Sequence, residues 1–169
     1  MMRLARLALL MPLAAALAGC GLQPMYAGGS HGAVAQTLSN VEVGPIAGQQ
    51  GWLVRNALVD RLGAAGDGKG RLRLDVVLDD QIAGYGIRSN NTITRERRTL
   101  RARFKLIDAS NQTVLLDATA GSDAGIDVVT SEYAVIAAEQ TALERLSGEV
   151  ADQIVTRVAL YARQHPSKE

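Results

Sequence analysis

TLRARFKLI, residues 99–107, alternates without a break: Leu100, Ala102, Phe104 and Leu106 are apolar, and Thr99, Arg101, Arg103 and Lys105 are polar. Successive side chains of a strand point to opposite faces. The stretch therefore predicts an antiparallel strand with one face on a core and the other in water. RLRLDVVLD, residues 71–79, repeats the pattern, with Leu72, Leu74, Val76 and Leu78 inward and Arg71, Arg73, Asp75 and Asp79 outward. TVLLDATAGS, residues 113–122, predicts a further strand with Val114, Leu116, Ala118 and Ala120 inward. Asp108-Ala-Ser-Asn-Gln112 joins it to the preceding strand through a turn, since Asp, Ser and Asn bond their own backbone. Gly84-Tyr85-Gly86 reads as a strand end or a bulge rather than a phosphate loop.

On either side the period changes. VEVGPI, residues 41–46, is a short strand broken at Gly44-Pro45. Gln49–Leu62 predicts a helix with Trp52, Val54, Leu58 and Leu62 on its apolar side and Gly63 at its end. GAAGDGKG, residues 63–70, is a loop. From Ser131 to Arg163 there is no proline, and Ile136, Gln140, Leu143, Ser147, Val150, Ile154, Val158 and Tyr161 recur at helical spacing. Ser131 is the expected N-cap, with Thr130 beside it, and Glu132 suits the first turn. The order is β-α-β-β-β-α. It predicts an α+β two-layer sandwich: a four-stranded, mostly antiparallel sheet with two helices on one face.

The N-terminus carries a different signal. MMRLARLALLMPLAAALAGC opens with Arg3 and Arg6, and Leu7–Leu17 is almost wholly Leu, Ala and Met. That run suits a signal-peptide core and is too short to span a bilayer. Leu17-Ala18-Gly19-Cys20 matches the bacterial lipobox, in which a cysteine thiol accepts a diacylglycerol and small residues allow cleavage before it. Residues 1–19 are thus expected to be a removed lipoprotein signal peptide, and Cys20 the lipidation site. Residues 20–38 are expected to be the lipidated Cys20 and a flexible tether, and 39–165 a single domain. Cys20 is the only cysteine, so no internal disulfide supports the fold. More than one acyl chain holds a protein stably on a membrane. Gly21, where some bacteria use Asp to retain lipoproteins at the inner membrane, leaves the periplasmic face of the outer membrane as the expected location.

About 150 residues remain after the leader, the size of one domain. Losing Arg3 and Arg6 takes Lys+Arg from 18 to 16, against 17 acidic residues. The mature chain is near neutral, and nothing points to nucleic acid. His31 lies in the tether and His165 in the tail, so neither has the rigid surroundings of a base or metal ligand. No GxSxG, P-loop or HExxH is present. The expectation is no catalytic residue, no metal and no cofactor beyond the covalent lipid on Cys20.

TRERRTLRARFK, residues 94–105, holds five arginines and a lysine. Arg95, Arg97, Arg101, Arg103 and Lys105 share one parity and form a basic stripe, to which Arg71 and Arg73 add. Arg98 and Glu96 have the other parity. Two readings stay open. Charges on exposed strands discourage edge pairing, and Asp75, Asp79 and Asp117 can neutralise the stripe across strands. Alternatively the guanidinium forks bind phosphate.

Three segments resemble the LPS-assembly lipoprotein family, LptE. They are CGLQPMY after the lipobox, where the family shows Cys-Gly-Phe-x-Pro-Leu-Tyr; the Thr94-Arg95 element before an alternating strand; and SEYAVIAAEQTALERLSGEVADQIVTRV, with its Ser-x-Tyr-Ala, Ala-Glu and Ala-Asp-Gln-Ile. The resemblance implies a small sheet backed by two helices, a plug seated in the outer-membrane β-barrel LptD, help in assembling that barrel, and binding of lipopolysaccharide (LPS). It places the LPS contact at Arg95 or Arg98. Arg97, Arg101, Arg103 and Lys105 come from the strand pattern. The rival reading is an adaptor subunit of another envelope transport complex. A soluble-ligand carrier would need an apolar pocket, which an aromatic content of 4% does little to line.

Overall fold

The computed structural model describes residues 32–63, 70–87 and 93–165. The elements are α1 (Ala33–Ser39), β1 (Val41–Val43), α2 (Gly48–Leu62), β2 (Leu72–Ile87), β3 (Ile93–Asp108), β4 (Val114–Asp127) and α3 (Glu132–Gln164). The sheet has the order β1-β2-β3-β4. β1 pairs parallel to β2, with α2 as the crossover, and the other pairings are antiparallel. Residues 1–31, and with them the expected signal peptide, Cys20 and His31, lie outside the described residues. No described helix is long and apolar enough to cross a membrane.

β2 and β3 form a long hairpin of two 16-residue strands. At about 3.3 Å per residue it runs roughly 50 Å. α3, with 33 residues at about 1.5 Å each, has the same length and lies along it. α3 packs on β3 and β4, and α1 and α2 pack against α3 on the same side of the sheet. Gln49 and Arg61 of α2 bond Gln140 and Asp152 of α3, so these two helices run side by side in one direction.

The inward face is the one the alternation predicts. Leu74, Leu100, Phe104 and Leu106 are wholly buried, against Leu143, Leu146, Val150, Ile154 and Val158 of α3 and Val54 and Leu58 of α2. Ala102, Ala120, Ala151 and Ala159 are also buried, and their small size lets helix and sheet approach closely. Gly63 ends α2 in the left-handed region (φ 63°), which glycine adopts without strain.

Several expectations need correction. Residues 33–39, taken with the tether up to residue 38, form α1, whose Val34 and Leu38 are buried in the core. Trp52 is 64% exposed. Two residues from Val54 is about 200° around a helix, on the far side from the Val54-Leu58-Leu62 stripe. Val114 is also exposed. The register shifts between Leu106 and Ile107, so that Leu106 faces Leu116 but Ile107 faces Val114. One extra residue turns everything beyond it to the other face. Ile136 is exposed because the buried stripe of α3 begins only at Ala142. Ser131 precedes α3 as expected. It acts through its carbonyl, which accepts from the Ala134 and Val135 amides, and its hydroxyl makes no cap. β2 runs on through Gly84-Tyr85-Gly86, where Gly86 takes φ 78° and its carbonyl accepts from the Thr94 hydroxyl.

Candidate functional site: the arginine face of the sheet

The outward face follows from strand parity. β3 contributes Arg95, Arg97, Thr99, Arg101, Arg103 and Lys105. β2 lays Asp75, Val77 and Asp79 on one side of them, and β4 lays Asp117, Thr119, Gly121, Asp123 and Asp127 on the other.

Most of this positive charge is answered on the sheet. Arg95 donates to Asp127 at 3.1 Å. Arg97 reaches Asp123 at 3.7 Å and lies over the Tyr85 ring, 5.4 Å from its centroid. Arg103 donates Nε and Nη2 to the two oxygens of Asp117 at 3.1 and 3.0 Å, and Lys105 stands 4.0 Å from the same carboxylate. The Arg103 fork, more than any other cause, holds the Asp117 carboxyl below its usual range and raises Arg103 in turn. Arg73 pairs with Asp75 along its own strand. The Arg73–Asp75 pair is half-buried and the others are exposed, so most of these pairs contribute little to stability.

Arg101 is the exception. It faces Asp79 on β2 and Gly121 on β4. Asp79 accepts instead from the Gln81 amide, and Gly121 has no side chain. Among the cations that β3 contributes, Arg101 is the one with neither an ion pair nor a hydrogen bond among the described residues. It borders a shallow depression of about 580 Å³ lined by Val77, Asp79, Arg103, Gly121 and Arg157.

Arg98 has the opposite setting. Its parity turns it towards α3, where Nε and Nη2 donate to Asp80 at 2.9 and 2.6 Å and Nη1 donates to the Glu139 carbonyl at 2.8 Å. The Arg98 and Asp80 side chains are only 12% and 13% exposed. Both ends of the guanidinium are engaged, so Arg98 pins the hairpin to α3 and does not extend the outward stripe. Glu96, also inward, sits close to Glu139. Burial, then the Glu139 charge, raises its carboxyl above the usual range, and its Oε2 has no partner.

The family profile for LptE, described as lipopolysaccharide assembly, matches residues 38–158. The chain belongs to the LptE family. Its fold is shared with a Caulobacter crescentus lipoprotein at 25% identity and TM-score 0.66, over 77% of this chain and 96% of that one. Rare lipoprotein B of Shewanella oneidensis matches at 10% identity and TM-score 0.57, over 73% and 96% of the two chains. A minor lipoprotein of Acinetobacter baumannii matches at 12% and 0.54, over 71% and 91%. The last two likenesses show the fold alone. A comparison with curated protein sequences finds no match. Family membership places this LptE-family chain among the LPS-assembly lipoproteins.

Of the residues the sequence singles out, the fold brings Arg95, Arg97, Arg101, Arg103 and Lys105 onto one face of this LptE domain and removes Arg98 from it. Cys20 lies outside the described residues. Sequence reasoning missed Asp123 and Asp127 as counter-charges. Their shared parity with Asp117 was the available signal. It also missed Gln153 and Arg157, which reach the sheet only through the packing of α3.

Proposed function

We propose that this protein is an outer-membrane lipoprotein, anchored through lipid on Cys20 to the periplasmic face. There it plugs and helps assemble an LptD-type β-barrel and assists the passage of LPS. It binds LPS phosphates on the arginine face and has no catalytic role. The observation that carries the phosphate reading is Arg101. In a stripe where Arg95, Arg97, Arg103 and Lys105 each face a carboxylate within 4.0 Å, its guanidinium stands unpaired over a depression. A free fork matches a phosphate's oxygens, whereas a paired one must first lose its carboxylate.

A protein partner is supported by the other end of the molecule. Ile82, Ile93, Val129, Tyr133 and Ile136 are exposed where the β2–β3 hairpin turns and α3 begins. Exposed apolar side chains gathered in one region are characteristic of protein contacts. This end is remote from α1, which follows the anchor.

The phosphate reading is tested with Arg101→Glu combined with Arg103→Glu. The double variant should keep its thermal unfolding cooperative and bind LPS at least tenfold more weakly. Unchanged LPS binding by the folded variant would remove the arginine face from the account.

A further inference from the structure

The depression at Arg101 does not stop at the sheet. β4 is an edge strand, and Gly121 lies on that edge, opposite Arg101. Gln153 of α3 closes a pair of hydrogen bonds on it: Nε2 donates to the Gly121 carbonyl, and the Gly121 amide donates to Oε1, both at 3.1 Å. This clamp satisfies the edge backbone and brings α3 to the rim. Arg157 is one helical turn beyond Gln153, on the same side of α3, and lines the depression together with Arg101. Arg157 is exposed, and among the described residues its side chain has no ion pair or hydrogen bond. Gly121 also sets where Arg101 lies. A Cβ there would stand 2.6 Å from Arg101 Cδ and 2.7 Å from Nη1, so a larger residue would push the Arg101 side chain out of this position.

We infer that Arg101 and Arg157 form a two-sided clasp for a phosphomonoester at the β4 edge, with Gly121 and Gln153 as positioning residues. Two unpaired guanidiniums border one concavity, and the neighbouring carboxylate, Asp79, is held by Gln81. A phosphomonoester carries close to two negative charges at neutral pH and several acceptor oxygens, which suits two forks better than a single carboxylate does. The inference rests on the reading of this face as a lipid-phosphate site and adds residues that lie off the strand stripe. The phosphate's source is either a glycolipid head group or free phosphate.

The test is titration of the mature protein with diphosphoryl lipid A in detergent micelles, with dephosphorylated lipid A, and with inorganic phosphate as competitor. Arg157→Gln and Arg101→Gln should each weaken phosphorylated lipid A by about tenfold, the scale of one charge-assisted bond. The double variant should lose less than the product, because both groups grip one ligand. Dephosphorylated lipid A should bind alike to all variants. Gly121→Ala should weaken binding when Arg101 is present and add nothing in the Arg101→Gln background, a dependence that a merely structural glycine would not show. Competition by millimolar phosphate would support recognition of the phosphate itself. A clasp that phosphate does not displace would still be supported by the variants and would assign the glycolipid head group as its source. Wild-type affinity in Arg157→Gln, with loss in Arg101→Gln, would overturn the clasp and leave the sheet-face reading standing. Wild-type affinity in both would overturn the two together. Arg157 is exposed on a helix, so its variant decides the matter even where Gly121→Ala fails to fold.

Discussion

Arg98 and Arg101 are three residues apart on one strand and end in opposite surroundings. Parity turns Arg98 into the helix layer, where Asp80 and the Glu139 carbonyl take up its donors. Arg98→Met leaves the Asp80 carboxylate buried without its partner. The expected loss is about 3 kcal/mol, measured by urea unfolding. Arg101→Gln removes no bond and should shift stability by less than about 0.5 kcal/mol in the same measurement. Ser147 is 2% exposed and its hydroxyl has no partner. Ser147→Ala removes an unsatisfied polar group and improves helix propensity, so it should stabilise the fold by about 1 kcal/mol. Glu96 gives a pH-dependent limb. Its folded carboxyl titrates above the ordinary 4.5, raised by burial and then by Glu139. Between 4.5 and that raised value the native state holds more protons than the unfolded chain, so this group's contribution to stability falls as pH rises through the window. Glu96→Gln should flatten that limb in melting temperatures taken from pH 4.5 upward. Asp117 works the other way. The Arg103 fork lowers it below 3.8, so its contribution is present above 3.8 and is lost as pH falls through the lowered value.

At the scale of elements, the alternation of residues 71–79 and 99–107 fixes which faces of β2 and β3 are buried, because period two admits one assignment once a core exists. It does not fix their length. β2 continues to Ile87 through Gly84 and Gly86, which read as a strand end or bulge, since pairing with β3 outweighs their low strand preference. The same limit hides α1. Its neighbours are rich in Gly and Ala, and only contact with α3 shows that Val34 and Leu38 belong to the core. Leu38→Ala should therefore cost about 2–4 kcal/mol, where a tether residue would cost nothing. Chemical denaturation of the two forms separates these outcomes. Long-range packing likewise explains why the proposed anion site is only half legible in the sequence. The stripe on β3 is a local pattern, whereas Asp123, Gln153 and Arg157 join it only when β4 and α3 are in place. The bulge at Leu106/Ile107 leaves no mark in composition, so strict alternation places Val114 on the wrong face.

The whole molecule separates its surfaces. One sheet face carries all three described helices, the other carries paired charge around Arg101, and the end away from α1 exposes Tyr133, Ile136 and Ile93. A near-neutral chain does not rely on long-range attraction, so LPS binding through two guanidiniums should weaken only moderately with salt. The proposed role seats the protein in an outer-membrane β-barrel as its plug. The most direct measurement is purification of the tagged, lipidated protein from detergent-solubilised outer membrane, with its partner identified by mass spectrometry. The expected result is a near-stoichiometric large β-barrel, lost from the Tyr133→Lys, Ile136→Lys variant. Recovery of the protein alone, or with subunits of an inner-membrane transporter, would contradict the account and favour an adaptor role elsewhere in the envelope.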